Sequence, residues 1–280
     1  MKKLNFLVLL MGVIALATTS CKKDNGDDNN GGGGGDNPPA EKTCYMNKFS
    51  TDDGDYTTIT YNADKHVKEA VDYDSTGTIA GYTEFTYNSD KKLSKMEGQD
   101  ENHQPKMKME FMYSGGKMDS VIIFDYNNGS FERSVAFAVS YNGEKISKVE
   151  TVMSMNGATI VVAKDEFTYT GDNMTHKASY QFDMTAMSLK LTGTTDYEYD
   201  SKKSPYHGIG LDNMFLFDDA FMSVNNITKT TVKDKDGVVK QDQSYNNTIE
   251  YTENNYPSKF TEVTFDNSRT GITVFTYDCN

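Results

Sequence analysis

Four histidines, His66, His103, His176 and His207, are the only imidazoles the chain offers to a metal or a proton. No two are spaced as a metal pair, and the sequence holds no His-Glu-x-x-His, Cys-x-x-Cys, Gly-x-Ser-x-Gly or phosphate-loop pattern. His66 and His176 fall in or just after polar turns and His103 in a polar loop, which marks all three as solvated surface residues. Carboxylates are plentiful, but a glycosidase needs two that converge from fixed positions, and chain order does not show convergence. Asp52-Asp53-Gly54-Asp55 and Asp234-Lys235-Asp236-Gly237 begin like calcium loops yet lack the later ligands, so hairpin turns account for them better. The expectation is therefore no catalytic residue, no metal and no cofactor, in a protein that is not an enzyme.

Aromatic chemistry is more promising. Leu211 to Met222 is the densest apolar run outside the N-terminus. Asp212 or Asn213 is suited to cap a short helix there. Met214, Phe217 and Phe221 would then share one face, with Phe215 and Met222 extending it. The run has three readings: a plug that fills one end of a larger structure, the lining of a pocket beside Tyr206 and His207, or a surface shown to a partner.

The elements that must hold these residues begin after a leader. Lys2 and Lys3 precede an apolar run, Leu4 to Ala17, and then small polar residues up to Cys21, which reads as a secretory signal over residues 1–20. Residues 21–42 follow as a linker of Asp, Asn, five consecutive glycines and Pro38-Pro39, too polar to bury and suited to a flexible tether. The formal charge is −13, and becomes −15 once Lys2 and Lys3 leave. Such a balance repels nucleic acid and anionic headgroups, so neither is an expected partner.

Residues 43–280 carry an internal period. Tyr61, Tyr87, Tyr113, Tyr141, Tyr169, Tyr199, Tyr251 and Tyr277 are separated by 26, 26, 28, 28, 30, 52 and 26 residues, the 52 reading as a doubled period. Two residues before each stands Ile59, Phe85, Phe111, Val139, Phe167, Tyr197, Ile249 or Phe275, the period of a strand with one buried face. Polar turns such as Asn62-Ala-Asp-Lys and Ser114-Gly-Gly-Lys follow most of these tyrosines. Apolar residues then resume at Val67, Leu93, Met118, Ile146, Met174 and Tyr256, and Met118, Ser120, Ile122, Phe124 and Tyr126 read as an alternating return strand.

The pattern predicts an all-β antiparallel up-and-down meander of about sixteen strands with one helical or plug insertion at 201–226. So many strands in one sheet tend to curl and close, so the expectation is a barrel, round or flattened. Closure would make the first and last strands neighbours and bring Cys44 to Cys279, as a disulfide across the seam; the alternative is two unpaired thiols at frayed ends. The lysines, aspartates and threonines between the aromatic positions argue against a lipid-facing outer wall.

Five resemblances add to this reading. Cys21, placed after small residues, resembles the lipobox of bacterial lipoproteins, although Thr18 occupies the usual aliphatic position; the resemblance implies lipidation of Cys21. Lys22-Lys23 followed by aspartates is similar to the surface-export signals of Bacteroidota lipoproteins, and Asp74-Ser75-Thr76 and Asp119-Ser120-Val121 to their O-glycosylation signal. The Tyr, turn, Lys, apolar rhythm resembles YD repeats. Cys44 to Asn280, through Pro205-Tyr206-His207-Gly-Ile-Gly-Leu211 and Asn225-Asn226-Ile227, resembles an uncharacterised Bacteroidota lipoprotein family with a porin-like fold. That resemblance implies a porin-like barrel and no activity.

Together these point to an outer-membrane lipoprotein facing the cell exterior, held by its lipid and serving as a binding module for glycan, peptide or partner protein. The candidate ligand or plug region is Tyr206, His207, Phe215, Phe217 and Phe221. A structural envelope component without a small ligand and a glycoside hydrolase are the alternatives.

Overall fold

A computed structural model describes residues 42–279 apart from 156–157, 212–213 and 217; the signal and tether, Cys21 and Phe217 lie outside the described residues. The described chain forms sixteen strands. They are β1 (Cys44–Thr51), β2 (Tyr56–Tyr61), β3 (Val67–Tyr73), β4 (Ile79–Tyr87), β5 (Leu93–Asp100), β6 (Pro105–Ser114), β7 (Lys117–Asn127) and β8 (Ser130–Asn142). The second half comprises β9 (Lys145–Met155), β10 (Ala158–Thr170), β11 (Asn173–Asp183), β12 (Ser188–Lys203), β13 (Asn225–Asp234), β14 (Tyr245–Tyr251), β15 (Pro257–Thr264) and β16 (Thr270–Cys279). Each pairs antiparallel with its chain neighbours and β16 pairs with β1, closing one sixteen-stranded meander barrel.

Each of the eight periodic tyrosines lies at or within four residues of the end of a strand, opposite an inward residue of its partner, and the partner then carries a one-residue bulge. Tyr61 faces Val67, Tyr87 Leu93, Tyr113 Met118 and Tyr141 Ile146. Tyr169 faces Met174, Tyr199 Ile227, Tyr251 Pro257 and, across the seam, Tyr277 faces Met46. A bulge inserts one residue and shifts the side-chain alternation by one. The inward pair on a return strand is thus three apart: Val67 and Ala70, Leu93 and Met96, Met118 and Val121, Ile146 and Val149, all buried. This corrects the alternation expected through Ser120, Ile122 and Phe124, which turn outward. Pro257, not Tyr256, opens β15. The 52-residue step is one unit stretched by its insertion, not a doubled period.

Because cross-strand partners share a face, the lumen is readable as hoops. The hoop next to the tyrosines pairs Ile59 with Ala70, Phe85 with Met96, Phe111 with Val121 and Val139 with Val149. It continues with Phe167 and Lys177, Tyr197 and Thr230, Ile249 and Phe260, and Phe275 and Phe49. Lys177 is its one charged member. The next hoop is polar. It pairs Thr57 with Asp72, Thr83 with Gly98, Asp165 with Ser179, Asn247 with Glu262 and Thr51 with Thr273, broken by Met109 and Ile123, Phe137 and Thr151, and Thr195 and Val232. It holds three carboxylates and no lysine or arginine.

Lysines face outward instead, in ion pairs along the strands: Lys95 to Glu97 at 3.1 Å, Lys108 to Glu110 at 2.7 Å, Lys148 to Glu150 at 3.0 Å and Lys164 to Glu166 at 2.7 Å. Charge at mid-height on the outer wall would cost about 2–4 kcal/mol per lysine in a bilayer core. The wall is built for water.

Candidate functional site

The insertion between β12 and β13 enters the barrel at the tyrosine end. Ile209, Leu211, Met214, Phe221 and Met222 join the core contributed by the first hoop. The Ile209 carbonyl accepts the Val67 amide at 3.1 Å, so the plug completes the hydrogen bonding of β3. Gly210 lies against the His66 ring at φ +83°, where a Cβ would meet its carbons at 2.8 to 3.0 Å. His66 is therefore the seat of the plug, its ring 4.9 Å from that of Tyr87, and not the solvated residue expected. His176 and His103 lie on the outer wall and at the open rim. The first bonds Asp196 at 2.6 Å, and the second stacks on Tyr82 at 4.0 Å.

Of the expected aromatic site, Tyr206 stacks on Phe221 at 4.4 Å and meets Phe275 edge-on at 6.4 Å; Phe215 packs on Phe137 at 6.3 Å. His207 is exposed. Tyr206, Phe215 and Phe221 thus pack on the core, and Tyr206 also lines a small cavity. The helix expected over the apolar run shrinks to one 3₁₀ turn, Asp219–Met222, capped by Asp218, whose carboxylate accepts the Ala220 amide at 2.7 Å. Asp212 and Asn213, the expected caps, lie outside the described residues. The Asn225-Asn226-Ile227 segment returns the chain to the wall: Asn225 Nδ2 donates to the Lys202 carbonyl at 2.8 Å and Asn226 Nδ2 to Asp200 at 3.1 Å.

The tyrosine end is also laced from hairpin to hairpin. The hydroxyls of Tyr61, Tyr87, Tyr113, Tyr199 and Tyr277 donate to the carbonyls of Met46, Val67, Leu93, Met174 and Pro257 at 2.5 to 2.8 Å. Turn lysines reach the next turn, Lys117 Nζ lying 2.5 Å from the Gly143 carbonyl and 5.4 Å from the Tyr141 ring centre, with Lys92 and Lys145 repeating the pattern at Gly116 and Gly171. At this end Cys44 and Cys279 are directly opposed in register and joined as a disulfide, with Cα atoms 4.0 Å apart.

Beyond the plug, chemistry gathers where the sequence reading did not look. Lys177 is ion-paired to Asp219, which also accepts the Tyr197 hydroxyl. Burial works against the Lys177 charge, but Asp219, Asp165 and Asp218 outweigh it and raise its pKa. A cavity of about 60 Å³ is lined by Tyr206, Asp218, Asn226, Tyr245, Asn247 and Glu262 among others. Tyr245 and Glu262 also line a wider cavity of about 420 Å³ with Asp242, Thr264, Arg269 and Gly271, at the end opposite the plug. Burial, with the Asp218 charge adding and Arg269 opposing, pushes Glu262 up to about 7. Asp218 keeps an accessible surface, but the surrounding barrel strips it of bulk solvent and, with Asp219, pushes it up to about 6 against the Ala220 amide and Lys177. On sequence these carboxylates were indistinguishable from surface acids; only the inward register of Asn247 and Glu262 separates them. Among the described residues no three His, Cys, Asp or Glu side chains group as metal ligands.

No protein-family model matches the sequence, and no curated protein matches it. Solved structures share its shape. A porin-like protein from Bacteroides vulgatus superposes with a TM-score of 0.50 at 12% identity, over 84% of this chain and 99% of that one. One from Bacteroides uniformis gives 0.45 at 10% identity, over 83% and 96%. A DUF3836 family protein from Parabacteroides distasonis gives 0.27 at 13% identity, over 48% and 93%. The architecture of this chain is thus similar to that of the Bacteroides vulgatus porin-like protein, a likeness of fold.

Proposed function

We propose that the chain is a lipid-anchored envelope protein, facing the cell exterior, whose barrel is a binding module that takes its ligand in the lumen beyond the plug. The observation that carries this is the polarity change between successive hoops. Next to the tyrosines the wall is apolar and filled by the plug; one hoop further it turns to Thr, Ser, Asn and three carboxylates, of which Glu262 borders open space. Carboxylates turned into a lumen cost free energy unless something pairs with them, and a ligand can be that partner. Position supports the reading as well. β1 begins and β16 ends at the plugged end, so a tether entering at Lys42 leaves the open mouth directed away from the anchor.

A glycoside hydrolase has less support, because Asp218 already accepts the Ala220 amide and the cavity it shares with Glu262 admits only a few water-sized groups. The test is a thermal-shift panel of glycans, peptides and small polar molecules on the intact protein, since a ligand binding only the folded state raises stability by RT ln(1 + [L]/Kd). A shift abolished by Glu262→Gln and unchanged by the outer-wall variant Glu97→Gln supports the lumen. Equal shifts in both variants, or none across the panel, would return the protein to the structural reading.

A further inference from the structure

We propose, resting on the lumen-binding reading, that the inner cavity is a seat for an organic ammonium group carried on an unbranched chain that extends into the wider cavity. The argument is a count of donors and acceptors. Glu262 and Asp218 present carboxylates to the same small cavity. Asn247, the cross-strand partner of Glu262, is 9% exposed; its Nδ2 donates to the Ile227 carbonyl at 3.1 Å, which fixes the amide orientation. Asn247 lines the cavity, and its Oδ1 is buried with no donor among the described residues. Asn226 repeats this: its Nδ2 is held by Asp200, and its Oδ1 has no donor among the described residues.

A buried acceptor left without a donor costs about 1–3 kcal/mol. No lysine or arginine lines the inner cavity to answer these oxygens. Lys177 is held by Asp219, and Arg269 stands in the wider cavity, where it also bonds the Asp242 carbonyl at 3.4 Å. An ammonium group offers three donors, no acceptor and a positive charge. At about 60 Å³ the seat has room for a few water-sized groups, which suits an ammonium and excludes a sugar ring. The 420 Å³ cavity above, walled by Tyr245, Thr264 and Gly271, takes the aliphatic chain.

The groups facing Glu262 are Asp218, Arg269, Tyr245 and Tyr206; those facing Asp218 are Asp219, Lys177, Glu262, Tyr197, Tyr199, Tyr206 and Tyr245. With the two acids held up to about 7 and 6, the empty seat retains a proton near neutrality. An ammonium favours the ionised acids and displaces that proton. Affinity therefore rises with pH from 6 to 7.5, and binding releases protons.

The experiment is calorimetric titration of the intact protein with 1,5-diaminopentane, 1,5-pentanediol, the peptide Gly-Lys-Gly and a neutral oligosaccharide. It is run at pH 6.5 in two buffers of different ionisation heat. The expected result is binding of the amines with proton release, none of the diol, and at least tenfold weaker amine binding in Glu262→Gln and in Asn247→Leu. Both variants are checked for an unchanged far-UV spectrum, and Glu262→Gln also abolishes the proton release. A tighter Gly-Lys-Gly identifies a lysine side chain as the natural group, a tighter diamine a free amine. Equal binding of diol and diamine, the same heat from potassium chloride, or amine binding untouched by Glu262→Gln would overturn the ammonium seat. Oligosaccharide binding that Glu262→Gln removes, with no amine binding, would overturn the seat and leave the lumen reading standing. No binding of any probe would overturn both.

Discussion

Tyr277, near the end of the last strand, stands opposite Met46 of the first, and the partner strand bulges at the next residue as it does where Tyr113 meets Met118 inside a single hairpin. The N-terminal strand is thus the missing return strand of the eighth repeat. The barrel closes by the same local geometry that builds each hairpin, and the Cys44–Cys279 disulfide sits at the outer end of that last pair.

Replacing both Cys44 and Cys279 with Ser should lower the unfolding free energy by about 2–5 kcal/mol, because the bond closes a loop of 235 residues in the unfolded chain. Urea denaturation of the purified protein with and without reductant measures it. Unchanged stability would mean that strand pairing alone secures the seam.

The tyrosine lacing predicts a graded series. Tyr113→Phe removes one hydroxyl donor to the Leu93 carbonyl and should cost about 1 kcal/mol. Tyr113→Ala also empties the space beside Leu93 and Met118 and should cost about 3–5 kcal/mol. Burial pushes the Tyr113 hydroxyl up to about 12, so ultraviolet titration should find it ionising later than an exposed tyrosine.

Lys177 and Asp219 should behave as a pair whose halves are worse than its absence. Lys177→Met alone leaves Asp219 with only the Tyr197 hydroxyl, and Asp219→Asn alone leaves the Lys177 cation with only Asp165 and Asp218 to offset its burial. Each single change should destabilise by about 3–5 kcal/mol, while the double variant should come close to the parent. A double-mutant cycle by chemical denaturation reads the coupling directly.

Asp72 sets a pH dependence. Burial, with the Asp55 charge adding and the 2.6 Å bond from Thr57 opposing, pushes its carboxyl up to about 7 from an ordinary value near 4. Between those values the folded protein holds a proton that the unfolded chain has lost, so stability falls as pH rises from about 4 and levels off above 7. Asp72→Asn should remove this component. The difference between variant and parent should favour the variant increasingly up to pH 7 and be constant above it. Denaturation midpoints at pH 5, 6, 7 and 8 check it, and a flat difference would place Asp72 in an ordinary solvated setting.

Much of this molecule is written in the period of its tyrosines. A tyrosine every 26 to 30 residues, with an apolar residue two before it and a turn after, specifies strand, turn and strand through nearest-neighbour sterics alone. From that came an all-β meander of about sixteen strands and a reason for it to close. The terminal cysteines and the apolar insertion were visible because composition alone sets them apart.

The bulges were not visible. A single inserted residue after Met118 or Val67 leaves no compositional mark, yet it reverses which side chains face the lumen, so Val121 and Ala70 turn inward and Ser120 turns out. For the same reason the site stayed hidden. Asn247 and Glu262 are ordinary polar residues of a strand until register puts them on the inner face, and Asp218 is one acid of a pair until the plug carries it inside. Hairpins are decided by contacts a few residues apart, which sequence records. The lumen is decided by strand register and by the plug, whose Ile209 carbonyl takes the amide of Val67 from far back in the chain, and only the closed barrel brings those together.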